Sequence, residues 1–160
     1  MKVPRDARDK LWGKMEREIQ LRAKNKDKKF QLKGKWKQFV RKQSGYRVYA
    51  VNERWVRDNL CIYFCHGGNG VVHEFIPLSE IWVGTRHYDE GKNSEFSKCP
   101  CTVNRKNQKV SKNFFDSTAL HEITECEQMK KGRGYWVAHN IALEAERKAG
   151  LLKDPYEDIV

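Results

Sequence analysis

The residues best suited to chemistry are His121, Glu122 and Glu125, in the run His121-Glu122-Ile123-Thr124-Glu125. On a helix, a four-residue step turns the chain by about 40° past a full turn, so His121 and Glu125 project as a pair. Glu122 lies one residue round from that face. An imidazole nitrogen and a carboxylate oxygen on one rigid turn suit a divalent metal ion, and a second carboxylate beside it can act as a base toward water. A third donor is expected from the next helix. Ala138, Ile141, Ala142, Ala145 and Ala149 form an arc of mostly small side chains, and His139 borders it. A helical hairpin turned through Gly132 and Gly134 then brings His139 into the seam near His121 and Glu125. The plainer alternative for His139 is a partly buried ring bonded to a carboxylate.

These residues need two helices and a sheet to hold them. The first helix is expected from a cap at Asp116 or Ser117, through Leu120 and Ile123, to Met129, stopping near Gly132. Ala119, Leu120, Ile123 and Cys126 should face the core. The second covers about 135–149, with Gly150 in the stop position. Upstream, residues 46–51 read as a strand and Asn52-Glu53 as a turn. Residues 54–57, 60–64 and 71–76 read as further strands. Gly67-Gly68-Asn69-Gly70 reads as a loop, Pro77 as a stop, and residues 78–83 as leaving the sheet. The expected class is α+β: an antiparallel β meander packed with a C-terminal helical hairpin, preceded by a basic N-terminal helix or arm. The domain spans 44–150, residues 84–113 form a long polar excursion within it, and 151–160 form a tail.

The charge divides the chain at about residue 43. The net charge of +11 is carried by residues 1–43, with 16 basic and 5 acidic residues, while the rest is balanced. Leu11, Met15 and Ile19 make a narrow apolar stripe on a helix over 6–24, and residues 24–29 read as a solvated linker. Lys28, Lys29, Lys33, Lys35, Trp36, Lys37 and Arg41 interleave cations with an aromatic ring, a pattern suited to phosphate contacts with base stacking. Nucleic acid or an acidic protein is the expected partner of the arm. A merely solvated charged face is the alternative.

No apolar run is long enough to span a bilayer, and no apolar segment follows the N-terminal charges as in a secretion signal. Five cysteines without a secretion signal imply a reducing, cytoplasmic setting. Cys61, Cys65, Cys99 and Cys101 could supply four thiolates, but without knuckle spacing; buried free thiols are the favoured reading.

The run His121-Glu122-Ile-Thr-Glu125 resembles the zincin metallopeptidase helix, His-Glu-x-x-His. The resemblance implies zinc on His121 and a general base at Glu122, with Glu125 standing where that family has its second His. A broader resemblance rests on Trp55-Val-Arg-Asp58, Gly67-Gly68, Phe75-Ile-Pro77, Glu80-Ile-Trp82, Leu120-His-Glu122, Glu125, Met129 and Ala138-His139. These segments look like an uncharacterised family of small phage and bacterial proteins. That likeness implies that Glu80 and His139 join the His-Glu-x-x-Glu helix in one constellation, and that a phage particle or its host's cytoplasm is the setting. The family has a His after the paired glycines, where this chain has Asn69. Two functions follow: a metal-dependent hydrolase delivered by its basic arm, or a non-catalytic virion- or nucleic-acid-associated protein whose His/Glu cluster is structural. A helical docking module for a host protein is a third.

Overall fold

The computed structural model describes residues 36–61, 63–87 and 108–153. The expected helix over 6–24, its linker, most of the 84–113 excursion and the end of the tail lie outside these residues, as do Lys28, Lys29, Lys33 and Lys35. The α+β class holds: a four-stranded sheet carries three helices, with the C-terminal pair packed on it.

The first two strands, β1 (Lys37–Gln43) and β2 (Tyr46–Val51), form an antiparallel hairpin. Ser44 and Gly45 join them with φ of 50° and 83°. Two successive positive φ values match the right-handed strand twist, which is why short hairpins use them. A register shift between Phe39 and Arg41 interrupts the ladder. Such a bulge reverses which way the following side chains face: Lys37 pairs with Glu80, whereas Arg41 reaches Asp116 of the first C-terminal helix.

Three expected strands are corrected. Residues 54–57 belong to a helix, α1 (Glu53–Asn59), because Asn52 caps it rather than turning a hairpin; its side chain accepts from the Trp55 N–H at 3.0 Å. The described residues of 60–64, and all of 71–76, run in turns, a bend and irregular backbone rather than paired strands. The loop expected at the paired glycines is instead a short strand, β3 (Gly67–Asn69). The segment expected to leave the sheet enters its centre as β4 (Glu80–Gly84), buried throughout. The order is β1-β2-β4-β3, with β2 and β4 parallel and the other pairs antiparallel, so the sheet is mixed rather than a meander. A wholly buried strand needs partners on both edges, and β4 has them. The described ends of the excursion meet across one isolated antiparallel bridge, Arg86 with Lys109, with His87 N donating to Gln108 O and Val110 N to Thr85 O.

Two helices close the fold, α2 (Lys112–Lys130) and α3 (Tyr135–Ala149). The cap of α2 is Ser111, not Asp116 or Ser117; its Oγ accepts from Phe114 N at 3.1 Å. Gly150 ends α3 in the left-handed conformation at φ 65°, as expected.

The sheet separates two apolar clusters. Tyr46, Val48, Ile81 and Val83 pack against Ala119, Ile123 and Cys126 of α2. On the other face, Val51 and Trp82 gather Trp36, Val56, Phe64 and Ile76. The α2–α3 seam closes on Ala138 and Ala142, both without solvent exposure. Ala142→Leu is therefore expected to overpack the seam and lower stability by roughly 1–3 kcal/mol in chemical denaturation. Ala145 lines an open groove on the outer face of α3, so Ala145→Leu should cost well under half as much. Equal costs would misplace the seam.

Candidate metal centre

The strict alternation of β-strands decides where Glu80 points. Ile81 and Val83 face α2, so Glu80 and Trp82 face the opposite side. There Glu80 accepts from Lys37 Nζ and from Trp82 Nε1 (2.8 Å) and pairs with Arg47 at 3.4 Å. Its expected place beside His121 is corrected: the sheet lies between them.

The other three expected donors meet. His121 and Glu125 lie one turn apart on α2, and α3 brings His139 across the seam. His121 Nε2 is 3.3 Å from Glu125 Oε2 and 3.0 Å from His139 Nδ1, and His139 Nδ1 is 3.0 Å from Glu125 Oε2. With Glu125 ionised, as the hydrogen bonds from His121 and His139 favour, protons on the rings cannot satisfy all three contacts. A proton placed on both nitrogens serves both contacts to the carboxylate but sets two N–H groups against each other; a proton on one nitrogen leaves a lone pair facing a lone pair. A cation at the centre resolves all three contacts at once. For metal–ligand bonds of 2.0–2.1 Å, the edge of a tetrahedron is about 3.3 Å, close to the separations present. These three residues form a group able to hold a metal ion.

Supporting contacts fix the donors. Glu146 accepts from His121 Nδ1 at 2.8 Å and from Ser117 Oγ at 2.6 Å. A carboxylate on the second ring nitrogen selects the tautomer that points Nε2 at the triangle. From β3, Asn69 Nδ2 donates to Glu122 Oε2 (3.1 Å) and Glu125 Oε1 (3.2 Å). Its Oδ1 accepts from the Val71 and Val72 N–H groups, which fixes the amide orientation and uses its full bonding capacity. Gly67, on the same face of β3, lets α2 approach: a Cβ there would lie 2.9 Å from Glu122 Cγ and Thr118 Cγ2. Asn69→Ala would strip partners from two buried carboxylates and two N–H groups; a loss of about 2–4 kcal/mol in urea unfolding is expected.

Electrostatics follow from this crowding. Burial works against a charged His121, but hydrogen bonds to Glu125 and Glu146 and the nearby negative charge of Glu122 and Glu125 outweigh it and push His121 up to about 10. Burial and the charge of Glu125 push Glu122 up to about 8, against the pull of His121 and of the Asn69 amide. Burial would raise Glu125 too, yet hydrogen bonds from His121 and His139 hold it below the ordinary carboxylate range. The cluster opens on the α3 side, where His139 is the most exposed member at 19% against 4% for Glu125. Tyr135 stacks on that ring at 5.6 Å.

Comparison with protein-family models, curated proteins and solved structures finds no match to this chain. The site therefore rests on its own geometry.

Glu146 escaped the sequence reading and Ser117 entered it only as a cap candidate, although both left a signal of their place at the site. Ser117, His121 and Glu125 recur every four residues on one stripe, and Glu146 stands four after Ala142 on the apolar arc, where an unpartnered charge would be costly. The described residues of the expected polyanion surface are engaged elsewhere. Trp36 is 8% exposed, its ring stacked on Trp55 at 4.4 Å and edge-on to Trp82. Base stacking on it is corrected on that ground. Lys37 pairs with Glu80 and Arg41 with Asp116. Among the described residues no helix is long and apolar enough to cross a membrane.

Proposed function

We propose that His121, Glu125 and His139 hold one divalent metal ion, zinc by donor set, and that the protein is a metal-dependent hydrolase with Glu122 as general base. The observation that carries this reading is the donor triangle that protons cannot satisfy, buttressed by Glu146. Two imidazoles and a carboxylate are the three-ligand set of catalytic rather than closed structural zinc sites. When bound, such an ion supplies Lewis acidity to a polarised oxygen. The chain's own residues do the rest. Glu146 orients His121, Asn69 spaces Glu122 from Glu125, and Glu122 takes and returns a proton at a carboxyl whose affinity is raised toward neutral pH, where a base works best. Elemental analysis of protein purified without a histidine tag tests the reading. Metal lost on His139→Ala supports it; metal content unaffected by that change refutes it.

A second reading, a non-catalytic virion- or nucleic-acid-associated protein, is favoured by the concentration of charge before Trp36. Residues 1–35 hold 13 basic and 5 acidic residues. Because β1 belongs to the sheet, the truncation that tests this removes 1–35 and not 1–43. Affinity for DNA or RNA should fall steeply with salt in the full chain and disappear in the truncated one. Undiminished affinity after truncation would locate polyanion binding elsewhere.

A further inference from the structure

We propose that Glu53, Cys65 and His66 form a second metal site, taking a zinc-class divalent ion, at the entrance of β3 and independent of the His121 cluster. A carboxylate oxygen of Glu53, Cys65 Sγ and a ring nitrogen of His66 all lie within 4.8 Å of one another. A thiol with an imidazole and a carboxylate selects zinc or a neighbouring transition metal over magnesium or calcium, which take oxygen alone.

The backbone is shaped to make this cluster. Consecutive residues of an extended chain point their side chains to opposite sides. Cys65 and His66 are consecutive, yet both reach Glu53. His66 achieves this at φ 60°, in the left-handed region that is unfavourable for a residue carrying a Cβ. Three hydrogen bonds hold the bend: His66 N donates to Glu53 Oε1 at 3.1 Å, Gly84 N to His66 O at 2.6 Å, and Gly67 N to Cys65 O at 2.7 Å. Glu53 itself is 3% exposed and lies flat on the end of β4, where a Cβ on Gly84 would come within 2.5 Å of its Oε2.

An ordinary account exists for Glu53 alone, since a carboxylate in the first turn of α1 meets the favourable end of the helix dipole. It does not explain why a strained residue turns a thiol and an imidazole onto the same carboxylate. His87, 2% exposed, is a further imidazole nearby, its ring 6.4 Å from that of His66 and both against Phe114. The ion's role is to staple. β3 begins at the residue after His66, and β3 carries Asn69, the amide that spaces Glu122 from Glu125. Fixing His66 fixes that strand at its root.

Cobalt substitution of the full-length, tag-free protein tests the proposal. Of the two clusters only this one offers a thiol, so a thiolate-to-cobalt charge-transfer band in the near ultraviolet is expected. The band should vanish in Cys65→Ser and in His66→Asn, each with the loss of one equivalent of cobalt, and persist in His121→Ala. Asparagine is chosen because it tolerates the left-handed conformation, so His66→Asn removes the ring without straining the chain. A wild-type protein without the band overturns the proposal, whatever the variants do. So does a band that survives either substitution.

Discussion

Replacing Glu122 by glutamine is expected to leave the metal content unchanged and to lower hydrolysis by roughly two to four orders of magnitude. Glutamine keeps the reach to the Asn69 side chain but cannot accept a proton at the carboxyl. His121→Ala should behave differently. It removes one corner of the donor triangle and, among the described residues, leaves Glu146 with Ser117 as its remaining side-chain hydrogen-bond partner, so metal content itself should drop. The pair separates base from ligand. Loss of metal in Glu122→Gln makes Glu122 a ligand and undoes the role assignment. Metal retained in both variants places the ion outside the His-Glu-x-x-Glu helix. A wild type that binds metal at the triangle and hydrolyses no peptide, nucleic acid or phosphoester leaves a structural ion as the better account.

Metal removal should make stability fall with rising pH. In the metal-free protein the folded-state affinities of both His121 and Glu122 for protons lie above their ordinary values, at about 10 and about 8. The stability contributed by protonated His121 is complete below about pH 6.5 and is lost as pH rises through about 10. For Glu122 the corresponding loss begins above about 4.5 and runs through about 8. Both make the metal-free fold weaker toward alkali. The loaded protein, with no proton on His121, should instead gain stability with pH until the histidines of the unfolded chain lose theirs, near 6.5, and then level off. With free metal at about a thousand times its dissociation constant, binding adds about 4 kcal/mol. Thermal melts from pH 6 to 9, with chelator and with zinc, should therefore diverge. Parallel curves would show that no ion sits on His121.

The helical half of the molecule was largely legible in the sequence because its signals are local. His121, Glu125 and His139 were found from spacing on two helices, and Gly150 from the conformation that ends one. The sheet was misread where a single side chain decides between alternatives. Asn52 at a helix cap and Asn52 in a turn look alike in sequence, and only the bond to Trp55 N separates them. Pro77 ahead of residues 78–83 signals a departure from the sheet, whereas the partners of β4, β2 and β3, are set by pairing across distant segments. Glu80 entered the constellation through the family resemblance alone; on β4 its parity with Trp82 turns it away from α2. Asn69 was noticed as the residue after the paired glycines, but its double donation to Glu122 and Glu125 depends on how closely α2 approaches Gly67.

The indole stack of Trp36 on Trp55 has a mechanical consequence. Trp36 is where the basic segment joins the sheet, and its ring sits on the face opposite α2. A pull on that segment meets the stacked rings first. If they part, the load passes to an edge strand that can peel from β2 one hydrogen-bonded pair at a time. The donor triangle lies behind two further strands and the long helix. Were that segment held by a large polyanion, as the second reading proposes, its anchorage could part and reseat while His121, Glu125 and His139 keep their spacing.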